Sequence, residues 1–244
     1  MRPYRQLFAA LVLSLCLIWM SGCVGSSAPT KLYVLTPAPK AEANPPGAEE
    51  TGSPVLGVGP VRLPGLLDQP QIVTRRSADE IGRAEFDRWA EPLADTVPRV
   101  IAENLAALWG SNRVAIFPWD SAQPVQYQVV VDVMRFDGAM GGDVVLDARW
   151  RIVTTEGREL AVRRSVLTQQ TGRAGYLAVV TAMSRALASL SREIAATFET
   201  LSRAGGDART EAARSPTGVD WCGDQGSGSA RDLQRSPAQT RSNK

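Results

Sequence analysis

Three segments in the middle of the chain alternate apolar and polar residues with the period of two that is typical of a β-strand. They are Val125–Val133, Val144–Ile152 and Leu160–Val166. A strand with this pattern has one apolar and one polar face, so the segments predict an antiparallel sheet with one face in water. The apolar positions of the third segment are Leu160, Val162 and Val166.

A first amphipathic helix is predicted over Leu93–Leu108, where apolar residues recur every three or four positions. Gly110 suits its end, because glycine readily adopts the left-handed conformation that terminates helices. Pro98 is a difficulty, since proline lacks a backbone donor and clashes with the preceding turn. It predicts either a kink or a regular helix that begins near Asp95 or Thr96.

A second, longer helix is predicted over Tyr176–Leu201, which keeps the same three-to-four spacing throughout. A helix of roughly 25 residues is a rod about 40 Å long. The simplest interpretation of its apolar stripe is that it covers the dry face of the sheet. A partner-binding helix is the alternative.

Four shorter segments nearer the N-terminus predict further strands. They are Lys31–Thr36, Val55–Leu63, Gln71–Arg75 and Glu80–Trp89. Gly57 and Gly59 within the second segment predict a place where other groups approach the backbone closely.

Two polar segments bound the predicted domain. Residues 37–54 are rich in Pro, Ala, Glu and Gly and predict an extended linker. Residues 205–244 contain few apolar residues and predict a disordered tail, because they cannot bury enough surface to offset ordering entropy. Residues 31–204 then form one α+β domain. Its mostly antiparallel, mixed β-sheet packs against two helices, the longer of which is C-terminal.

The N-terminus has the plan of a secretory signal peptide. Arg2 and Arg5 precede an apolar run over Leu7–Met20, and small residues precede Cys23. The run is shorter than the about 20 residues that a membrane-spanning helix needs. An ordinary signal peptide followed by an incidental cysteine is one interpretation of this pattern.

The sequence Ser21-Gly22-Cys23 supports a second interpretation, because it resembles the bacterial lipobox. The resemblance implies a lipoprotein signal peptide over residues 1–22, a diacylglycerol on the Cys23 thiol and a tether over residues 23–30. In lipoproteins of two-membrane bacteria, an aspartate after the cysteine commonly signals retention in the inner membrane. Val24 stands at that position here, which by analogy favours the periplasmic face of the outer membrane.

The amino-acid composition argues against several classes of function. The chain contains no histidine, which is the usual general base and metal ligand. From Cys23 onward it carries 25 basic and 25 acidic residues, because two of the 27 basic residues lie in the signal peptide. This balance indicates no nucleic-acid partner. Cys16 leaves with the signal peptide and Cys222 has no partner, so we expect no disulfide, metal or cofactor.

Two unusual segments, Leu63–Arg75 and Phe86–Leu93, carry a resemblance to a known family. Together with the lipobox, Leu32–Leu35 and Pro118-Trp119, they resemble the ABC-type transport auxiliary lipoproteins of the PqiC type. The similarity runs from the lipobox to the end of the long helix. It does not include the linker or the C-terminal tail.

The resemblance implies an interaction protein that is not an enzyme. Lipoproteins of this type serve a transport system built around a periplasm-spanning protein with MCE domains, which moves lipids between the two membranes. The expected role is to dock that protein at the outer membrane and so to support envelope integrity. A homo-oligomeric ring would suit a multimeric partner.

Five residues of the two unusual segments are candidates for binding the partner. Stiff apolar loops lose little entropy on binding, and tryptophan and arginine are enriched at interface hot spots. In the structural alternative, Trp89 is a core anchor and Arg75 pairs with Asp87 or Glu91. The candidate residues are Leu66, Leu67, Arg75, Arg88 and Trp89.

Two other functions remain as alternatives. A periplasmic lipid carrier would need its own apolar pocket between helix and sheet, of about 300 Å³ or more. An enzyme is a third hypothesis, but the sequence has no nucleophile elbow and no Gly-rich phosphate loop. Its carboxylates, such as Asp68, Asp87, Glu91 and Asp120, are scattered along the chain.

Overall fold

The computed structural model describes residues 28–39, 55–110, 113–119 and 125–214, with side chains to residue 203, and five isolated positions among the first 14. Cys23, Cys222, the signal-peptide cleavage site and linker residues 40–54 lie outside the described residues. In chain order, the elements are β1 (Lys31–Tyr33), β2 (Val55–Arg62), a 3₁₀ turn (Gly65–Leu67), β3 (Gln71–Arg75), β4 (Ile81–Trp89), α1 (Leu93–Trp109), β5 (Val114–Ile116), β6 (Val125–Gly138), β7 (Asp143–Thr154), β8 (Glu159–Gln170) and α2 (Tyr176–Arg214).

A five-stranded mixed sheet contains the three alternating segments, and its strand order is β5-β2-β6-β7-β8. Strands β6, β7 and β8 are antiparallel, as their patterns predict, whereas β2 runs parallel to both β5 and β6. The predicted apolar face of β7 is confirmed, because Leu146, Ala148 and Trp150 are buried. The short strand β5 was not predicted, since three residues are too few to show a period.

The inward face of β8 differs from the prediction. Val162 and Val166 are 54 % and 59 % exposed and lie on the open face of the sheet. Ala161 pairs with Ile152 and Ser165 pairs with Ala148, so the alternate residues of β8 share the inner face. The register shifts between Ile152 and Val153. Alternation alone could not reveal the error, because a shift of one residue exchanges the two faces of a strand.

A second, three-stranded sheet has the order β1-β4-β3. Strand β1 is parallel to β4, and β3 is antiparallel to it. In this small sheet Leu32 pairs with Arg88, and Gln71 pairs with the same Arg88 from the other side. The two unusual sequence segments therefore meet here, although about ten residues separate them in the chain.

Helix α1 begins at Leu93, runs through Pro98 and ends at Trp109, and the φ of 61° at the following Gly110 is left-handed as predicted. The alternative of a regular helix that begins near Asp95 or Thr96 is therefore wrong. The Thr96 hydroxyl donates a hydrogen bond to the Pro92 carbonyl in the first turn.

Helix α2 buries the predicted apolar stripe. Its residues Val179, Met183, Leu187, Leu190 and Ile194 are almost completely buried. The helix continues to Arg214, ten residues beyond the predicted boundary at residue 204. Alanine, arginine and glutamate in this extension favour a helix even without an apolar stripe. The contacts between residues divide the chain into two units, with the boundary between residues 203 and 204. Residues 215–244 lie outside the described part.

One apolar core unites the two sheets and the two helices. It includes Ile72 and Trp89 of the small sheet, Trp150 of the large sheet and Ile101 of α1. The aromatic rings of Trp109 and Phe198 lie 5.2 Å apart and join the helices. The fold is α+β with two helices of which the longer is C-terminal, as predicted, and its strands form two mixed sheets where the sequence predicts one.

Candidate functional site

The loop that precedes β3 is held against β4 by the backbone. The Trp89 N–H donates to the Pro70 carbonyl at 2.7 Å, and the Leu67 N–H donates to the Pro64 carbonyl at 2.9 Å. Two prolines in the eight-residue loop of residues 63–70 fix two φ angles, which reduces the number of conformations available to it. The loop is therefore positioned before any partner arrives.

The structure divides the candidate residues between surface and core. Leu66 is 41 % exposed and Arg88 is exposed on the outer face of the small sheet. Leu67 and Trp89 are buried in the common core, as the structural alternative expects for Trp89. Only the exposed residues can contact a partner in this conformation, whereas the buried ones fix the loop from behind.

Leu32 belongs to the same surface and was not among the candidates. Its side chain is 66 % exposed, and it pairs with Arg88 in the parallel register of β1 and β4. The signal that could have found it is the alternation Leu32, Tyr33, Val34 and Leu35, in which the two leucines must point to opposite sides. We call Leu32, Leu66 and Arg88 the small-sheet surface.

Arg75 pairs with neither Asp87 nor Glu91, so that prediction is wrong. Its Nε and Nη2 atoms donate to the two carboxylate oxygens of Asp137, each at 2.9 Å. Asp87 instead accepts a hydrogen bond from Tyr33, and Glu91 pairs with Arg99. The pairing follows from tertiary structure, because β3 packs against the end of β6 and no local spacing encodes that contact.

The Asp137 carboxylate is nearly buried, with its side chain 3 % exposed. Burial opposes its ionisation, but hydrogen bonds from Arg75 and Arg135 and their positive charges outweigh this effect. The pKa of the Asp137 carboxyl is therefore below its usual range. Arg75 also donates from Nη1 to the Ala78 carbonyl, so its guanidinium joins the small sheet to the large one. This engagement makes Arg75 a structural residue rather than a free contact.

Tyr33 forms the corresponding polar contact within the small sheet. Its hydroxyl donates to Asp87 Oδ1 at 2.6 Å. This hydrogen bond, together with burial and the Asp87 charge, raises the pKa of Tyr33 to about 12. The contact fixes β1 to β4 beside the exposed residue Leu32.

The predicted close approach at the β2 glycines is confirmed. A Cβ atom at Gly57 would lie 2.6 Å from the Trp119 ring, and one at Gly59 would lie 2.7 Å from Phe117 Cβ. The rings of Phe117 and Trp119 themselves meet edge to face at 5.4 Å. The Pro118-Trp119 segment thus packs on a surface that only glycine leaves free.

An open groove of about 940 Å³ lies between the edge strand β8 and helix α2. Its walls are residues 160–165 of β8 and part of the helix between Glu193 and Leu201. At its inner end, the Trp150 Nε1 donates to Ser165 Oγ at 2.9 Å, and the Ser165 hydroxyl donates to Glu193. The lipid-carrier alternative expects an apolar pocket between helix and sheet, whereas this groove is open and lies at the edge strand.

Two further observations concern the described residues only. Among them, no group of three or more histidine, cysteine, aspartate or glutamate side chains could hold a metal ion. None of the helices in this part of the chain combines the length and the apolar character needed to cross a bilayer.

Comparison with known proteins identifies relatives of this sequence. The chain is 25 % identical over 139 residues to the intermembrane transport lipoprotein PqiC of Escherichia coli K12, which corresponds to 57 % of this chain and 71 % of that protein. The PqiC protein of Shigella flexneri gives the same identity and coverage.

Two crystal structures share the fold. An uncharacterized protein superposes with a TM-score of 0.57 and 23 % identity, covering 70 % of this chain and 99 % of its own. A protein from Xanthomonas campestris superposes with a TM-score of 0.56 and 18 % identity, covering 72 % of this chain and 99 % of its own. Residues 33–195 match the family of ABC-type transport auxiliary lipoprotein components, and the match runs from the last residue of β1 to about the middle of α2. The chain belongs to this family of transport auxiliary lipoproteins.

Proposed function

We propose that this protein is the outer-membrane-anchored, periplasmic subunit of a lipid transport system built around an MCE-domain protein. In this role it docks the bridging MCE protein to the outer membrane and supports envelope integrity. The observation that carries the proposal is the family match over residues 33–195. It is supported by the relative PqiC, which is described as an intermembrane transport lipoprotein.

The proposed anchor is a diacylglycerol on Cys23. Each buried acyl CH₂ contributes about 0.8 kcal/mol, so two or more chains bind a membrane far more tightly than one chain does. The tether of residues 23–30 spans at most about 28 Å when fully extended. The first strand begins at Lys31, so the small sheet stays close to the leaflet.

The small-sheet surface is the proposed docking surface for the bridging protein. A bridge must end at the membrane, so a docking surface next to the anchor suits this role. Leu66 and Leu32 offer exposed apolar area, and Arg88, which pairs with Leu32 in the sheet, offers a charged donor. Buried Leu67 and Trp89 hold this surface in place, which reduces the entropy lost on binding.

The core favours docking over the alternative of a lipid carrier. Trp150, Leu146 and Ile152 fill the inner face of the large sheet, and α2 packs directly against that face. The groove between β8 and α2 is open, and Arg163, Arg164 and Glu193 are among its lining residues, unlike the enclosed apolar pocket that holds an acyl chain.

A Cys23→Ala variant tests the anchor in the native host. We expect it to move from the outer-membrane fraction to the soluble periplasmic fraction, with an unchanged circular dichroism spectrum, and cells that carry it should become sensitive to detergent. Cys222→Ala is the matched control and should leave both properties unchanged. A Cys23→Ala protein that stays with outer membranes and supports full envelope integrity would contradict the proposed role.

A Leu66→Asp/Arg88→Glu double variant tests the docking surface. Its affinity for the purified MCE-domain protein, measured by surface plasmon resonance, should fall at least about tenfold, because hot-spot residues each contribute more than about 1 kcal/mol. Met134→Asp is the control, since this exposed methionine lies on β6 of the other sheet. Equal affinities of the double variant and the wild type would contradict this placement of the docking surface.

A further inference from the structure

Strand β8 is the free edge of the large sheet. In the described part of the chain it pairs only with β7, along 12 residues. One row of its backbone N–H and C=O groups therefore has no strand partner, and such an edge is a template for another strand. Its outer face carries two exposed valines, Val162 and Val166, which favour an extended neighbour.

Helix α2 contacts one end of β8 and diverges from the other. Near the end of the strand, Gln169 Nε2 donates to Ser189 Oγ at 3.3 Å, and Arg185 donates to the Gln170 carbonyl. At the middle of the strand, Ser165 donates to Glu193. Beyond Glu193 the groove of about 940 Å³ separates the two elements, so the edge of residues 160–165 is accessible.

The helical wall of the groove is built from small side chains. Ala196, Thr197 and Thr200 line it and Leu201 adds apolar surface, whereas Leu160 adds apolar surface on the opposite wall, which β8 forms. Such a wall leaves room for the backbone of an added strand and for its alternate side chains. A groove between an edge strand and a helix is a known way of binding extended peptides by β-augmentation.

The charged side chains that line the groove are Arg163, Arg164 and Glu193. Glu193 accepts a hydrogen bond from the Ser165 hydroxyl, so Arg163 is the charged group that an incoming side chain can pair with. Its side chain is exposed, lines the groove and forms no ion pair with any described residue. Its neighbour Arg164 is already engaged with Asp147 through two hydrogen bonds of 2.9 and 2.7 Å. An acidic side chain on an incoming segment would pair with Arg163. A second copy of β8 is a poorer occupant, because it would place the Arg163-Arg164 pairs of both copies beside each other.

We propose that an extended segment of the docked transport protein adds to β8 as a sixth strand and places an acidic side chain against Arg163. The segment enters the groove opposite Ala196 and Thr200, and the edge groups of residues 160–165 form its main-chain hydrogen bonds. The identity of the partner rests on the proposed function. The groove and the unpaired edge do not depend on it.

Hydrogen exchange on the full-length lipoprotein in nanodiscs tests the proposal, with the purified MCE-domain protein as the probe. Strand addition should slow exchange at alternate amides of residues 160–165 at least about tenfold, which contacts between side chains alone would not do. Thr200→Trp, which fills the groove, should abolish that protection and weaken binding. Thr181→Trp is the control, because Thr181 is exposed on the same helix outside the groove.

The charge preference has its own variant. Arg163→Glu should weaken binding by at least about tenfold at low salt, whereas Arg173→Glu, an exposed control outside the groove, should leave the affinity unchanged. Both variants should keep the wild-type unfolding midpoint, since neither arginine is buried.

The outcomes separate this proposal from the proposed function. Tight binding without protection of β8, and with normal affinity of Thr200→Trp, would overturn strand addition and leave the docking role intact. Absence of any binding by the wild-type lipoprotein would overturn both. Protection of β8 without the MCE protein, together with dimers in light scattering, would show that a second copy occupies the groove and would overturn the choice of occupant.

Discussion

The two sheets differ in how they are stabilised. Strands β6, β7 and β8 of the large sheet have 14, 12 and 12 residues, and their inner faces are buried against the helices. Strands β1, β3 and β4 of the small sheet have three, five and nine residues, and specific polar pairs hold them. Apolar burial therefore dominates the large sheet, whereas the small sheet depends more on the geometry of single hydrogen bonds and ion pairs.

The largest effect on the free energy of unfolding is expected when a large side chain is removed from the core of the large sheet. Trp150→Ala removes a fully buried indole and its hydrogen bond to Ser165. Loss of a buried tryptophan should lower the free energy of unfolding by about 4 kcal/mol. Urea unfolding followed by circular dichroism measures the change.

The control for this prediction is Val162→Ala on the open face of the same sheet. It should change the free energy of unfolding by less than about 0.5 kcal/mol. Similar losses in the two variants would show that the assignment of inner and outer faces is wrong.

The second largest effect is expected when the link between the sheets is broken. Asp137→Asn removes the charge that Arg75 and Arg135 share. Because the Arg75 side chain is 25 % exposed and stays partly hydrated, the loss should be about 2 kcal/mol, below the about 3–5 kcal/mol measured for fully buried pairs. Asp132→Asn, whose partners Arg62 and Arg151 are 63 % and 36 % exposed, should cost less than about 1 kcal/mol.

The same pair predicts a dependence on acid pH. The pKa of Asp137 is lower in the folded protein than the unfolded value of about 3.9, so its contribution is complete above that value. The contribution is lost as pH falls through the folded pKa. The stability difference between wild type and Asp137→Asn should therefore be constant from pH 7 to 5 and shrink below pH 4. A stability difference between the two proteins that stays constant down to pH 2 would show that it does not come from the ionised Asp137 carboxylate.

The long, apolar elements of the large sheet could be predicted from the sequence better than its short or irregular strands. Long alternating strands such as β7 and the buried stripe of α2 could be predicted from periodicity. In these elements apolar residues lie on the buried face and polar residues on the exposed face. Strand β5 and the inward face of β8 could not, since three residues show no period and the apolar residues Val162 and Val166 of β8 lie on the open face of the sheet. The extension of α2 to Arg214 was missed because a helix without an apolar stripe carries only a weak signal.

The candidate surface could be predicted only in part. The unusual Leu63–Arg75 segment led to Leu66, but its neighbour Leu67 is buried, and composition cannot distinguish the two. Arg75 was assigned to near neighbours, whereas its partner Asp137 lies 62 residues away. Pairings at that distance depend on how β3 packs against β6, which no local pattern contains.

A smaller effect is expected at the β5 edge of the large sheet. In Gly57→Ala the new methyl group would lie 2.6 Å from the Trp119 ring, so the indole must move. Overpacking at this site should cost about 1–2 kcal/mol. Gly65→Ala in the 3₁₀ turn before the small sheet is the control, because no atom lies within 4 Å of the position that its new methyl group would take. It should be neutral or stabilising by about 0.5 kcal/mol.

The smallest effect is expected within the small sheet. Tyr33→Phe removes the hydrogen bond to Asp87 and keeps the ring, so the free energy of unfolding should fall by about 1 kcal/mol. The pKa of Tyr33 is raised to about 12, so the contribution of the hydroxyl is complete below the unfolded pKa of about 10. It is lost as pH rises from there through 12. Urea unfolding of both proteins at pH 8, 10 and 11.5 should show a difference that narrows at the highest pH. A difference that widens with pH would mean that another group holds β1 to β4.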